Sequence, residues 1–174
     1  MTDAASGEPG DAVVICSDAR SAEETSGVVI DVERWERLAR ASLLSEEAVG
    51  ELTLTFIDRD EIAALNAEHM GAEGATDVLS FPLDEAGVPP GVPTLLGDVV
   101  ISPAVAASQA PQHVGELDDE LALLVVHGVL HVLGHDHAEA EEASAMQARE
   151  IELLELHHWG HTAPDGFRQT HPAS

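Results

Sequence analysis

Residues 116–137 read ELDDELALLVVHGVLHVLGHDH. From Glu116 to Leu133 this is the longest apolar stretch at helical spacing in the chain. Asp118, Asp119 and Glu120 open it, where the helix dipole favours anions, and Gly134 suits its C-terminal cap. His127 and His131 are one helical turn apart, so both imidazoles project from one face. Gly134 lets the chain turn, and His137 can then swing back to the same point.

Three imidazoles converging on one point suit a single zinc ion, with a fourth position left for water. Zinc lowers the pKa of such a water toward about 7 and so supplies a hydroxide nucleophile near neutral pH. The spacing follows the metzincin pattern H-E-x-x-H-x-x-G-x-x-H at every position but one: Gly128 stands where those proteases carry their general-base Glu. The ligand geometry is kept, and the protease chemistry is not supported. His135 lies inside the motif between two ligand positions and is expected to face away from the metal.

Working outward, Val13–Cys16 suits a strand, and Ser17–Gly27 reads as a polar loop. A helix begins after Asp31 as N-cap, with Trp35, Leu38, Ala39 and Leu43 on one face. Glu51–Ile57 alternates with period two and buries Leu52, Leu54 and Phe56. Asp58 or Asp60 caps a helix over about 60–69, Thr76–Phe81 is a third strand stopped by Pro82, and 84–94 is a Pro- and Gly-rich loop. Leu95–Ile101 is a fourth strand, and Pro103 opens a helix to about 110. A last helix is expected from about Ala138 to His157, with Ala143, Met146, Glu150, Leu154 and His157 on one face. The order β-α-β-α-β-β-α-α-α predicts an α+β fold, a small four-stranded mixed sheet packed with about five helices in a single domain. Residues 1–11 read as a disordered acidic leader, 12–158 as the domain and 159–174 as a loose tail.

The motif at 127–137 resembles the hallmark of the YbeY family of endoribonucleases, H-G-x-L-H-L-x-G-Y/H-D-H, with Val132 at a Leu position. Leu65-Asn66 followed by Thr76-Asp77-Val78-Leu79-Ser80-Phe81-Pro82, and then Leu96-Gly97-Asp98-Val99-Val100-Ile101-Ser102, resemble two further signatures of that family in the same order. The resemblance implies a mixed sheet with surrounding helices and one zinc on His127, His131 and His137. It also implies cleavage of single-stranded RNA in late maturation of the small-subunit (16S) rRNA 3′ end and in ribosome quality control. By the same resemblance the partners are ribosomal RNA in small-subunit particles, a small-subunit ribosomal protein and an Era-type GTPase. One position departs: many members carry an Arg where this chain has Met70, and Arg59 is a nearby alternative in sequence.

The supporting residues have plainer readings beside their functional ones. Asp136 either orients a ligand imidazole or is a turn residue; with His135 and a second water it is a candidate general acid, and no catalytic acid or base is assigned. Glu150, a carboxylate on an apolar face, needs a partner, either a metal-ligand His or the helix above it; its plainer reading is a marginal position at the edge of the buried stripe. Thr76, Asp77 and Ser80 are cleft candidates, although Asp77 also suits a backbone cap. Glu33 with Arg37 and Glu36 with Arg40 have the favoured i,i+4 order for a solvated, ion-paired helix face.

The charge balance bounds all of this. There are 33 Asp plus Glu against 7 Arg and no Lys, a formal net charge of -26. Such a surface excludes a nucleic-acid binder held by a broad cationic face and leaves room for a nuclease with a small local site whose substrate arrives on a basic partner. No run approaches the roughly 18 apolar residues of a membrane span. Cys16 is the only cysteine, which fits a reducing cytoplasm. The remaining alternatives are a non-catalytic ribosome assembly factor with a structural zinc and, less favoured, a zinc peptidase.

Overall fold

Period two in Glu51–Ile57 becomes the centre of a sheet. A computed structural model describes residues 11–83, 94–113, 116–135, 139–167 and 169. Four strands, β1 (Ala12–Asp18), β2 (Gly50–Phe56), β3 (Val78–Pro82) and β4 (Leu95–Ile101), lie in the order β1-β2-β4-β3. β1, β2 and β4 run parallel, and β3 is antiparallel to β4, with Ser80 opposite Val99. Among the described residues the helices are α1 (Ala22–Gly27), α2 (Val32–Ser45), α3 (Arg59–Met70), α4 (Pro103–Gln109), α5 (Leu117–Val132) and α6 (Ala140–Leu154). The α+β class and the mixed four-stranded sheet agree with expectation. Of the expected 1–11 leader, residues 1–10 lie outside the described residues, as do 84–93 of the expected 84–94 loop.

Alternation decides the two faces. Leu52, Leu54 and Phe56 of β2 and Val99 and Ile101 of β4 are fully buried against Trp35, Leu38 and Leu43 of α2 and against α5. On the other face α3 lays Ile62 and Leu65 over Leu79, Phe81 and Val100. α5 is apolar on every side and is buried almost throughout from Glu120 to Val132, which makes it the central helix of the core. Its start is a reciprocal capping box: the Glu116 N–H donates to Asp119 Oδ2 at 3.0 Å.

Three local expectations change. Ser17–Gly27 is not all loop: β1 continues to Asp18, and Ser21 caps the short α1. The third strand begins at Val78, so Thr76 and Asp77 precede it, buried. Two of the three α2 arginines reach off their own helix: Arg34 pairs with Asp118 at 2.7 Å, and Arg40 Nε donates to the Ala12 carbonyl; Arg34 also lies over the Trp35 ring of α2. Cys16 is half-buried on β1, where burial, with Glu36 and Asp18 nearby, pushes its thiol up to about 12, so it stays protonated and inert at neutral pH.

The end of α6 also departs. Glu155–Trp159 forms a π-helical turn, which adds a residue to the turn and shifts the phase of the residues after it. His157 therefore leaves the apolar face and bonds Ser45 Oγ at 2.8 Å, while His158 and Trp159 turn inward and donate to Asp119 Oδ1 at 2.8 and 2.9 Å. Burial raises the Asp119 pKa, but the bonds from His158, the Glu116 N–H and Trp159 outweigh it and hold the carboxyl below its ordinary value. A depressed carboxylate stabilises the fold above its unfolded pKa of about 3.9 and loses that contribution as pH falls through the folded value. Asp119→Asn should therefore lower the urea midpoint at pH 7, and the gap to wild type should narrow as pH falls below the unfolded value of about 3.9; a gap that stays constant with pH would contradict this reading.

Candidate metal centre and active site

His127 projects from α5 toward α6, where its Nδ1 lies 2.5 Å from Glu150 Oε2. His127 is 3% exposed and Glu150 1%. A carboxylate oxygen accepts, so the imidazole donates from Nδ1 and presents its Nε2 lone pair. This is the carboxylate–histidine arrangement that orients metal ligands. The His131 ring sits one turn on, its centroid 4.5 Å from that of His127 and the rings nearly perpendicular. These two side chains fit the donor chemistry of zinc. His137, the third expected ligand, and Asp136 lie outside the described residues. Among the described residues no group of three or more His, Cys, Asp or Glu side chains is gathered for a metal.

The position between the two histidines is set by packing. A Cβ at Gly128 would lie 2.5 Å from Val99 Cγ1, and Val99 is fully buried and β-branched. The general-base Glu of the metzincin pattern has no room here. Ser80 reinforces the contact, donating from Oγ to the Gly128 carbonyl at 3.3 Å. Of the cleft candidates, Ser80 is thus the one beside the histidines. Asp77 and Thr76 serve a network further back: Asp77 Oδ1 accepts from the Val78 N–H at 2.8 Å and from Thr76 Oγ1 at 3.4 Å. With the Gln109 amide oriented to donate, its nitrogen reaches Asp77 Oδ2 at 3.1 Å and Glu120 Oε2 at 3.3 Å. Glu120 is about two turns before His127 on α5.

His135 turns away from the pair. Gly134, at φ +100°, reverses the chain after α5, and His135 Nε2 lies 3.1 Å from Glu46 Oε1 at the end of α2. Arg149 Nε bonds the other Glu46 oxygen at 2.5 Å. Glu46, His135, Ala48, Val49, Leu96 and Leu133 together line a groove. Arg59 is exposed at the first residue of α3, and its N–H bonds Glu24 of α1 at 3.1 Å. Met70 is the last residue of that helix, so the two positions are about 16 Å apart along its axis, too far for Arg59 to take over position 70. His69, beside Met70, stands edge-on to Phe81 at 5.2 Å.

The sequence model of the family described as Endoribonuclease YbeY matches residues 20–158. The chain belongs to the YbeY family. Among curated YbeY endoribonucleases it is 44% identical to that of Salinispora tropica over 140 residues, covering 74% of this chain and 89% of the relative. It is 46% identical to that of Thermobifida fusca over 135 residues, covering 74% and 87%. The fold is also similar to the solution structure of a Thermotoga maritima protein, with a TM-score of 0.53 at 23% identity over 85% of this chain and 90% of that one. The YbeY match ends at residue 158, so the described contacts of the following segment lie beyond it. There Phe167 meets the Trp159 ring edge-on at 5.0 Å, and the Gln169 amide donates to Glu150 Oε1 at 2.9 Å. Sequence reasoning missed Gln169 because nothing periodic surrounds it.

Gly128→Ala should destabilise. Overpacking costs about 1–3 kcal/mol, against about 1 kcal/mol regained in helix propensity. A net loss of up to about 2 kcal/mol in urea unfolding is expected, with Gly128→Glu worse; an unchanged midpoint for Gly128→Glu would show that the contact yields.

Proposed function

We propose that this chain is a single-strand-specific, metal-dependent endoribonuclease. It would act in late maturation of the small-subunit (16S) rRNA 3′ end and in ribosome quality control, in the cytoplasm. The observation that carries the reading is the His127–Glu150 hydrogen bond with the His131 ring beside it, in a chain of the YbeY family. One zinc ion would be held by His127, His131 and His137. When bound, it supplies water activation and polarisation of a phosphoryl oxygen.

The chain's own residues do the positioning. Glu150 fixes the proton of His127 at Nδ1. Ser80 and Val99, cross-strand neighbours, hold α5 against the sheet at Gly128. The general acid is Asp136 or a second water, because His135 turns from the pair to Glu46. Water or the RNA 2′-OH is the attacking group, and a cyclic phosphate product would identify the latter.

Charge supports delivery by a basic partner, for which we propose a small-subunit ribosomal protein and an Era-type GTPase acting on ribosomal RNA in particles. Arg20, Arg34 and Arg149 are already paired with Asp18, Asp118 and Glu46, which leaves little cationic surface for phosphate. Met70 in place of the family Arg favours a second reading, a non-catalytic assembly factor with a structural zinc. The close contact at Gly128 weighs against a peptidase.

Metal-reconstituted protein acting on 3′-extended rRNA in small-subunit particles tests this beside His131→Ala. The variant is expected to lose both zinc and cleavage. Full activity in the variant would overturn the metal reading, and assembly without cleavage would favour the scaffold. Naked single-stranded RNA should bind weakly even at low salt, where cationic binders are tightest; tight binding in a gel-shift series would sink the delivery idea.

A further inference from the structure

Glu150 is buried and has two oxygens to satisfy. Oε2 accepts from His127 Nδ1 at 2.5 Å, and Oε1 accepts from Gln169 Nε2 at 2.9 Å. The same Gln169 amide nitrogen donates to the Gln147 carbonyl at 2.8 Å, one turn earlier on α6. Its two amide hydrogens thus fix the Gln169 group against the α6 backbone and aim it at the carboxylate.

The segment carrying Gln169 is itself tied down. The Ala163 N–H donates to Glu155 Oε2 at 2.8 Å, the Phe167 N–H donates to the Pro164 carbonyl at 3.1 Å, and the Phe167 ring packs edge-on against Trp159. Trp159 is in turn bonded to Asp119 at the start of α5. The chain therefore leaves α6, is anchored on α5, and returns to the middle of α6 at the carboxylate behind His127.

We propose that Gln169 is a positioning residue: its amide holds the Glu150 carboxylate in the rotamer that accepts the His127 Nδ1–H, and so fixes which imidazole nitrogen faces the metal position. Without that donor, the carboxylate keeps one bond and is free to rotate about its terminal torsion, which is broad for Glu. The His127 proton then loses its fixed acceptor. The effect passes through Glu150 rather than through contact with substrate. It rests on the reading of His127 as a metal ligand only for its consequence in binding.

Two measurements on the full chain test it. The first, made without metal, is solvent exchange of the His127 Nδ1–H followed by proton–nitrogen NMR. The second is zinc affinity by competition with a chromophoric chelator. Losing a direct partner of a ligand His costs about 10–100-fold in metal affinity. Gln169→Ala, one bond further out, is expected at the low end, about tenfold weaker, with faster Nδ1–H exchange. Gln169→Glu, which keeps the size but not the donor, should do the same. In a Glu150→Gln background, Gln169→Ala should add nothing.

A wild type with no protected Nδ1–H, unchanged exchange in Gln169→Ala, or an equal loss in the Glu150→Gln background would each overturn the proposal. If the wild type binds no zinc but Gln169→Ala still speeds exchange, the metal reading fails and the positioning role stands. If zinc binds equally to wild type and Gln169→Ala at unchanged exchange, the positioning role fails and the metal reading stands.

Discussion

The close approach of α5 to β4 is the constraint on which the rest depends. Gly128 leaves no Cβ to meet Val99, and Gly97 leaves none to meet the Phe81 carbonyl at 2.5 Å or Val132 at 3.1 Å. Two missing side chains, one on each partner, let the helix settle into the sheet. That depth puts the Gly128 carbonyl within reach of Ser80 and turns His127 toward Glu150 rather than solvent. A metalloprotease uses the residue after its first His for chemistry; here the same position is given to packing.

The described carboxylates show how an acidic chain can be orderly as well as repulsive. Asp119, Glu150, Glu46 and Asp18 each take hydrogen bonds from His, Trp, Gln or Arg side chains. Arg149 and Glu46 join α6 to α2, and Arg34 and Asp118 join α2 to α5. Of the few cations, Arg34 and Arg149 join helices. The exposed Arg34–Asp118 pair adds little stability by itself.

Much of this is legible in the sequence where one periodicity dominates. The alternation of Glu51–Ile57, the cap at Asp31, Pro103 at the start of α4 and the apolar run of α5 are local signals, and the elements obey them. Glu150 stands out because a carboxylate on an apolar face demands a partner. The features that stay hidden lack a local signature. The inward turn of His158 and Trp159 comes from a π turn that no propensity announces, and Gln169 acts across a contact 19 residues long in sequence. In the sequence Gly128 reads as a missing base; only its distance to Val99 reveals a steric demand.

The π turn at Glu155–Trp159 works as a built-in one-residue insertion. It lets adjacent histidines serve opposite neighbours, His157 the end of α2 and His158 the start of α5. In an ordinary α-helix a single deletion rotates everything downstream by about 100°. Here, removing one residue would restore the regular register, carry Trp159 off Asp119 and swing the following segment around the helix. The length of that turn, more than the identity of any side chain in it, sets where the chain goes next.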